Sequence, residues 1–177
     1  MTLFRPLAAL LLLALAGCAT DGGARAAPSW YVMRHLQKAE GADPPLSDLG
    51  RRNAELLAGL LDETPPRAIY ASATRRARET AQPTAARYRL TIKEYDPRDT
   101  PGLVARVRAE NGPVLIVGHS NTVPAIIKAL SGRDIGEMDE SAYGTLFQVR
   151  SDGIVVRTRV DVNCDPLQGG EDRGARC

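Results

Sequence analysis

The chain has 177 residues and a formal charge of +2, with 23 Lys and Arg against 21 Asp and Glu. A surface this close to neutral carries no electrostatic footprint for nucleic acid or for an acidic membrane surface, so no nucleic-acid partner is expected. Three cysteines and two histidines, with no CxxC pair and no His/Cys cluster, exclude the usual zinc-ligand patterns, and neither a metal nor another cofactor is expected.

The first 17 residues do not read as part of a fold. Arg5 is the only early charge, and Leu7 to Ala16 is an unbroken run of Leu and Ala. A helix needs ~20 apolar residues to cross a hydrocarbon core of about 30 Å, so this run is too short to span and suits a signal-peptide apolar region. It ends in Leu15-Ala16-Gly17-Cys18, which resembles the lipobox of bacterial lipoproteins. The resemblance implies acylation of Cys18, cleavage before it, and an exported chain anchored to the membrane on the periplasmic side. Ala19 is not the aspartate that such lipoproteins use for inner-membrane retention, so the outer membrane is favoured.

The expected layout is a signal peptide over 1–17, a lipidated tether over 18–28, one domain over 29–162 and a tail over 163–177. The tether is rich in Gly and Ala, and the remaining length is ordinary for one domain with its own core. Cys164 and Cys177 flank a Gly-rich stretch; an exported chain permits a disulfide between them, and two free thiols are the alternative.

Within the domain, Ser29 to Met33 reads as a buried strand. Ser47 is placed to cap a helix whose Leu56, Leu57, Leu60 and Leu61 share one face, and Pro65-Pro66 ends it. Arg67 to Ala71 reads as a second strand. A helix follows from about Thr74 to Ala86, with Pro83 expected to break or kink it. Thr91 to Tyr95 alternates as a strand, and Leu103, Val104 and Val107 mark a third helix. Val114 to Val117 is an apolar, mostly β-branched strand bounded by Pro113 and Gly118. Val123, Ile126, Ile127 and Leu130 repeat at helical spacing. Two closing strands, Thr145 to Val149 and Ile154 to Val160, flank the turn Ser151-Asp152-Gly153.

Strands alternating with helices imply an α/β domain, a mostly parallel sheet covered on both faces in three α/β/α layers. Ligands of such sheets bind beyond the carboxyl ends of the strands. Both histidines fall there: His35 in Arg34-His35 after the first strand, and His119 in Gly118-His119-Ser120-Asn121 after the fourth. Arg76 opens the helix after the second strand, within Ser72-Ala73-Thr74-Arg75-Arg76-Ala77-Arg78-Glu79-Thr80-Ala81. Two imidazoles and two guanidinium forks converging on one sheet edge suit a phosphoryl group.

With Pro45-Leu46-Ser47-Asp48-Leu49-Gly50, these motifs occur in the order of the histidine phosphatase superfamily, the phosphoglycerate mutase-like group, which the chain resembles from about Ser29 to Leu130. The compact format is similar to the branch containing bacterial phosphohistidine phosphatases. The resemblance implies a metal-independent phosphatase with His35 as the nucleophile of a phosphohistidine intermediate. Arg34, Arg76 and His119 would hold the transferring phosphate of a small phosphorylated substrate. Ser120 and Asn121 would line the phosphate site or cap the next helix, with capping favoured. Arg75 and Arg78 read as solvated charges, and Ser72 as a turn residue.

A leaving alkoxide needs a proton donor, typically worth ~10²–10⁴-fold. Glu94, Asp96 and Asp99 are candidates, with Asp96, just past the third strand, preferred; the resemblance to the compact branch also allows that no such acid is present. Leu36 replaces the usual glycine after the nucleophile; it would be strained if the position needs positive φ, and would shape the pocket mouth if only its carbonyl is used. Lys38 is expected on the plain surface. The alternative function is a catalytically weak phosphate-binding or interaction lipoprotein on the same scaffold; a mutase is disfavoured for want of insertions.

Overall fold

The computed structural model describes residues 29–162; the expected signal run, Cys18, the tether and the Cys164/Cys177 pair lie outside the described residues. Six strands and four helices alternate: β1 Ser29–Arg34, α1 Asp48–Leu60, β2 Ala68–Ser72, α2 Arg75–Tyr88, β3 Ile92–Tyr95, α3 Thr100–Arg108, β4 Val114–Gly118, α4 Val123–Ser131, β5 Thr145–Arg150 and β6 Val155–Arg159. The single sheet runs β3-β2-β4-β1-β5-β6. The first four strands in that order are mutually parallel, and β5 and β6 are added antiparallel. This is the expected mostly parallel α/β sheet with helices on both faces.

Side chains alternate across each strand, so the sheet feeds two separate cores. Tyr31 and Met33 of β1, with Leu115 and Val117 of β4, pack among Ala54, Leu57, Ala77 and Ala81 of α1 and α2. Trp30 and Val32, with Val114 and Ile116, pack among Leu103, Val107, Ile126 and Ile127 of α3 and α4. β1 and β4 are therefore buried on both sides, which is why their sequences are continuously apolar.

Pro83 neither ends nor splits α2, contrary to the expectation from sequence. A proline inside a helix costs ~3 kcal/mol, and burial of Thr80, Ala81, Thr84 and Ala85 on both sides of it offsets that cost. Ser47 caps α1 as expected, its hydroxyl accepting from the Gly50 amide at 3.1 Å. Gly50 has a second role. A Cβ there would overlap the Gln37 carbonyl oxygen, so only glycine lets α1 lie this close to the segment leaving β1. Gly50→Ala is expected to destabilise the domain by about 1–3 kcal/mol, the usual cost of forced overpacking, read as a lower urea midpoint.

Candidate active site

Parallel pairing brings the two histidines together. Arg34 of β1 is in register with Gly118 of β4, and the His35 amide continues the ladder by donating to the Gly118 carbonyl at 2.9 Å. His35 and His119 are thus the first residues past two neighbouring strand ends. Their rings lie 5.4 Å apart between centroids, at 66° to one another. β2 flanks β4 on the other side and ends at Ser72, whose hydroxyl is 2.8 Å from His119 Nε2. The first turn of α2 follows, and Arg76 Nε donates to His35 Nε2 at 3.0 Å.

His35 is buried and its tautomer is set by its neighbours. Nδ1 lies 2.8 Å from the Leu36 carbonyl oxygen, which can only accept, so Nδ1 carries the proton. Nε2 accepts from Arg76 and therefore holds a lone pair. Burial, opposed by the Leu36 carbonyl and reinforced by Arg34, Arg76 and His119, pulls its pKa down to about 3. Burial, then Arg76 and Arg34, pull His119 down to about 4. Both rings are neutral near pH 7, and the cations around them make a pocket whose free charge is positive.

Arg34 is almost wholly buried. Its Nη1 donates to the carbonyls of Asp139, at 3.2 Å, and Glu140, and its guanidinium lies 4.2 Å from the centre of the Tyr143 ring. Its buried Nε–H has no hydrogen-bond partner among the described residues. Arg76 Nη1 faces Asp43 at 3.5 Å, and the same carboxylate accepts from the Arg75 amide at the start of α2. These residues open onto a pocket of about 410 Å³.

Arg34, His35, Arg76, His119, Ser120 and Asn121 all line this pocket, as the motifs implied. The preferred acid, Asp96, does not. Its carboxylate is at the surface and gripped by the Arg98 guanidinium and amide, which hold it below the usual range, as an anion. Glu94 pairs with Arg78 at 3.6 Å, and Asp99 caps α3 by accepting from the Gly102 amide. None of the three candidate carboxylates lines the pocket.

Other expectations are corrected in detail. Thr122, not Ser120 or Asn121, is the N-cap residue of α4. Ser72 does more than make a turn, since it holds His119. Lys38, expected on the plain surface, lines the pocket, as does Arg98. Leu36 has no positive φ, and its side chain is fully buried in the α1/α2 core rather than at the pocket mouth. Its amide donates to Thr80 Oγ1 at 3.0 Å, and Thr80 in turn donates to the Arg76 carbonyl. Sequence reasoning missed Thr80 in this role, although the residue stood inside a recognised motif. It also missed Tyr143 and Glu140, which come from an irregular loop between α4 and β5 that carries no periodic signal.

Among the described residues, no group of three or more His, Cys, Asp and Glu side chains gathers as a metal site requires. The lowered histidine pKa values make a stability prediction. An unfolded histidine titrates near 6.5, so below that pH the unfolded chain binds protons that the folded one refuses. The contribution is complete above pH ~6.5 and is lost as pH falls towards about 4 and 3. Urea midpoints are expected to drop across this window, and less steeply in His35→Asn/His119→Asn. Nitrogen NMR is expected to find His35 neutral at pH 5 with its proton on Nδ1.

Residues 30–98 match the family model described as histidine phosphatase superfamily, branch 1. No curated protein matches the chain. Among solved structures, SixA from Agrobacterium tumefaciens superposes with a TM-score of 0.58 at 24% identity, covering 72% of this chain and 95% of that one. The protein histidine phosphatase SixA in complex with tungstate gives 0.57 at 18%, covering 73% and 94%. The mycobacterial glucosyl-3-phosphoglycerate phosphatase with inorganic phosphate gives 0.54 at 20%, covering 74% and 94%. At these identities the structures show a common fold, and the family model matches its first three strands and first two helices.

Proposed function

We propose that the chain is a histidine-type phosphatase that hydrolyses small phosphorylated substrates through a phosphohistidine on His35. The observation that carries this reading is the state of the His35 ring: Nδ1 is spent on the Leu36 carbonyl, and Nε2 is unprotonated among guanidinium groups. Such a nitrogen is a nucleophile at neutral pH, and its cationic neighbours neutralise the charge of an incoming phosphate.

The steps follow from the groups present. The phosphate enters between Arg34, Arg76 and His119, drawing the Arg76 Nε–H from the ring nitrogen to a phosphate oxygen. His35 Nε2 attacks phosphorus in line as the leaving oxygen departs. The Leu36 carbonyl stabilises the positive charge that develops on the ring, because Nδ1–H donates to it throughout. A second in-line attack by water on the phosphohistidine releases phosphate and restores the lone pair. His119 can donate Nδ1–H to the phosphate when the Ser72 hydroxyl donates to its Nε2. Complexes of the relatives with tungstate and phosphate support a small phosphorylated ligand, and a phosphomonoester or phosphohistidine both fit this chemistry.

For location, the Leu7–Ala16 run and Cys18 support export and lipid anchoring, with the outer membrane favoured by Ala19. Cells given labelled palmitate are expected to label the wild-type chain and not Cys18→Ala.

The central test is acid quenching of enzyme mixed with a ³²P-labelled phosphate ester. Wild type is expected to retain acid-labile label on His35, and His35→Ala to retain none and lose turnover by at least ~10³-fold. Chelators are expected to leave the rate unchanged. A wild-type chain that binds phosphate but neither traps label nor turns over is instead a phosphate-binding protein on this scaffold.

A further inference from the structure

With Asp96 bound to Arg98, Glu94 to Arg78 and Asp99 to the start of α3, the expected proton donors are all committed elsewhere. Asp43 is committed too, to the Arg75 amide and Arg76. One carboxylate lines the phosphate pocket itself. Glu140 is the only acidic residue lining the pocket that contains His35, Arg34, Arg76 and His119. Its backbone is fixed there, because its carbonyl accepts from Arg34 Nη1. Its side chain is exposed and has no hydrogen-bond or ion-pair partner among the described residues.

A second cavity, of about 670 Å³, adjoins the first and shares Ser120, Asn121 and Glu140 with it. Beyond them it is lined by Pro124, Ala125 and Met138, by the ion pair of Lys128 and Asp134, and by Gly136 and Glu137. The phosphate pocket is cationic, and this neighbour sets Pro124, Ala125 and Met138 among polar groups of both charges. A phosphate ester has the same two parts, a charged phosphoryl group and an organic remainder. A substrate seated across both cavities would place its bridging oxygen near the residues they share, Glu140 among them.

On the phosphatase reading above, we propose that Glu140 is the catalytic residue that protonates the leaving oxygen, and that the organic group occupies the second cavity. His35 Nε2 forms its bond to phosphorus while the bond from phosphorus to the leaving oxygen breaks. The Glu140 carboxyl gives its proton to that oxygen, which leaves as the alcohol, and Glu140 becomes a carboxylate. In the second step the carboxylate takes a proton from the attacking water, whose oxygen bonds to phosphorus as the bond to Nε2 breaks.

The test uses leaving groups of different basicity. Proton donation matters greatly for an alkoxide and little for p-nitrophenolate, which leaves readily without it. Glu140→Gln is expected to lower kcat/KM on an alkyl phosphate by ~10²–10⁴-fold, to lower it on p-nitrophenyl phosphate by less than about tenfold, and to steepen the dependence of rate on leaving-group pKa. Glu140→Asp is expected to recover part of the alkyl rate, and the basic limb of the alkyl pH profile is expected to disappear in Glu140→Gln. Equal losses on both esters with an unchanged slope, or no loss at all, overturn the assignment of the acid while leaving His35 in place. A wild type inert on both esters overturns the phosphatase reading and this assignment with it. Matching thermal midpoints for the variants exclude unfolding as the cause of any loss.

Discussion

Everything at the site depends on one backbone hydrogen bond, from the His35 amide to the Gly118 carbonyl. It extends the parallel ladder of β1 and β4 one residue beyond the strands. That extension places two imidazoles at the same height on adjacent strands, which a shift of one residue would turn to opposite faces. Both strands are buried along almost their whole length, so the rings inherit a low-dielectric environment that keeps them neutral. The order β2-β4-β1 then adds Ser72 and the first turn of α2 from one side. Arg34 itself is the last residue of β1, and the α4–β5 loop closes over it from the other.

Holding cations beside neutral histidines costs free energy, because each guanidinium loses water and gains only partial compensation. Arg76 is compensated by Asp43, and Arg34 by two carbonyls and the face of Tyr143. Neither has a close, buried carboxylate partner of its own among the described contacts. A phosphate supplies what is missing, so the attraction for it is built in before it arrives. The positions of these groups are not left to the loops alone. Leu36 is embedded in the α1/α2 core, its amide is tied to Thr80, and Gly50 presses against the carbonyl of Gln37. Asn53 of α1 donates to Gln37 Oε1 and accepts from the Val162 amide, joining the nucleophile segment to the end of the described domain.

Much of this could be read in advance. The alternation of elements and the apolar run at Val114–Val117 foretold the layered sheet, and His35, His119, Arg34 and Arg76 stood at strand and helix ends where ligands bind. These signals are local and periodic. Leu36 was misjudged because the sequence showed an unusual residue but not the direction of its side chain. Asp96 was preferred for its position past β3, yet Arg98, two residues on, captures it; a short-range ion pair overrode topology. Glu140 and Tyr143 reach the pocket only through the tertiary path of an irregular loop, and no spacing rule records that path.

The direction of β1 has a further consequence. Ser29 begins the strand and Arg34 ends it, so the chain enters the domain at one edge of the sheet and forms the pocket at the other. At ~3.3 Å per residue a six-residue strand separates these edges by about 20 Å. The start of the described domain and the mouth of the pocket therefore lie at opposite ends of β1.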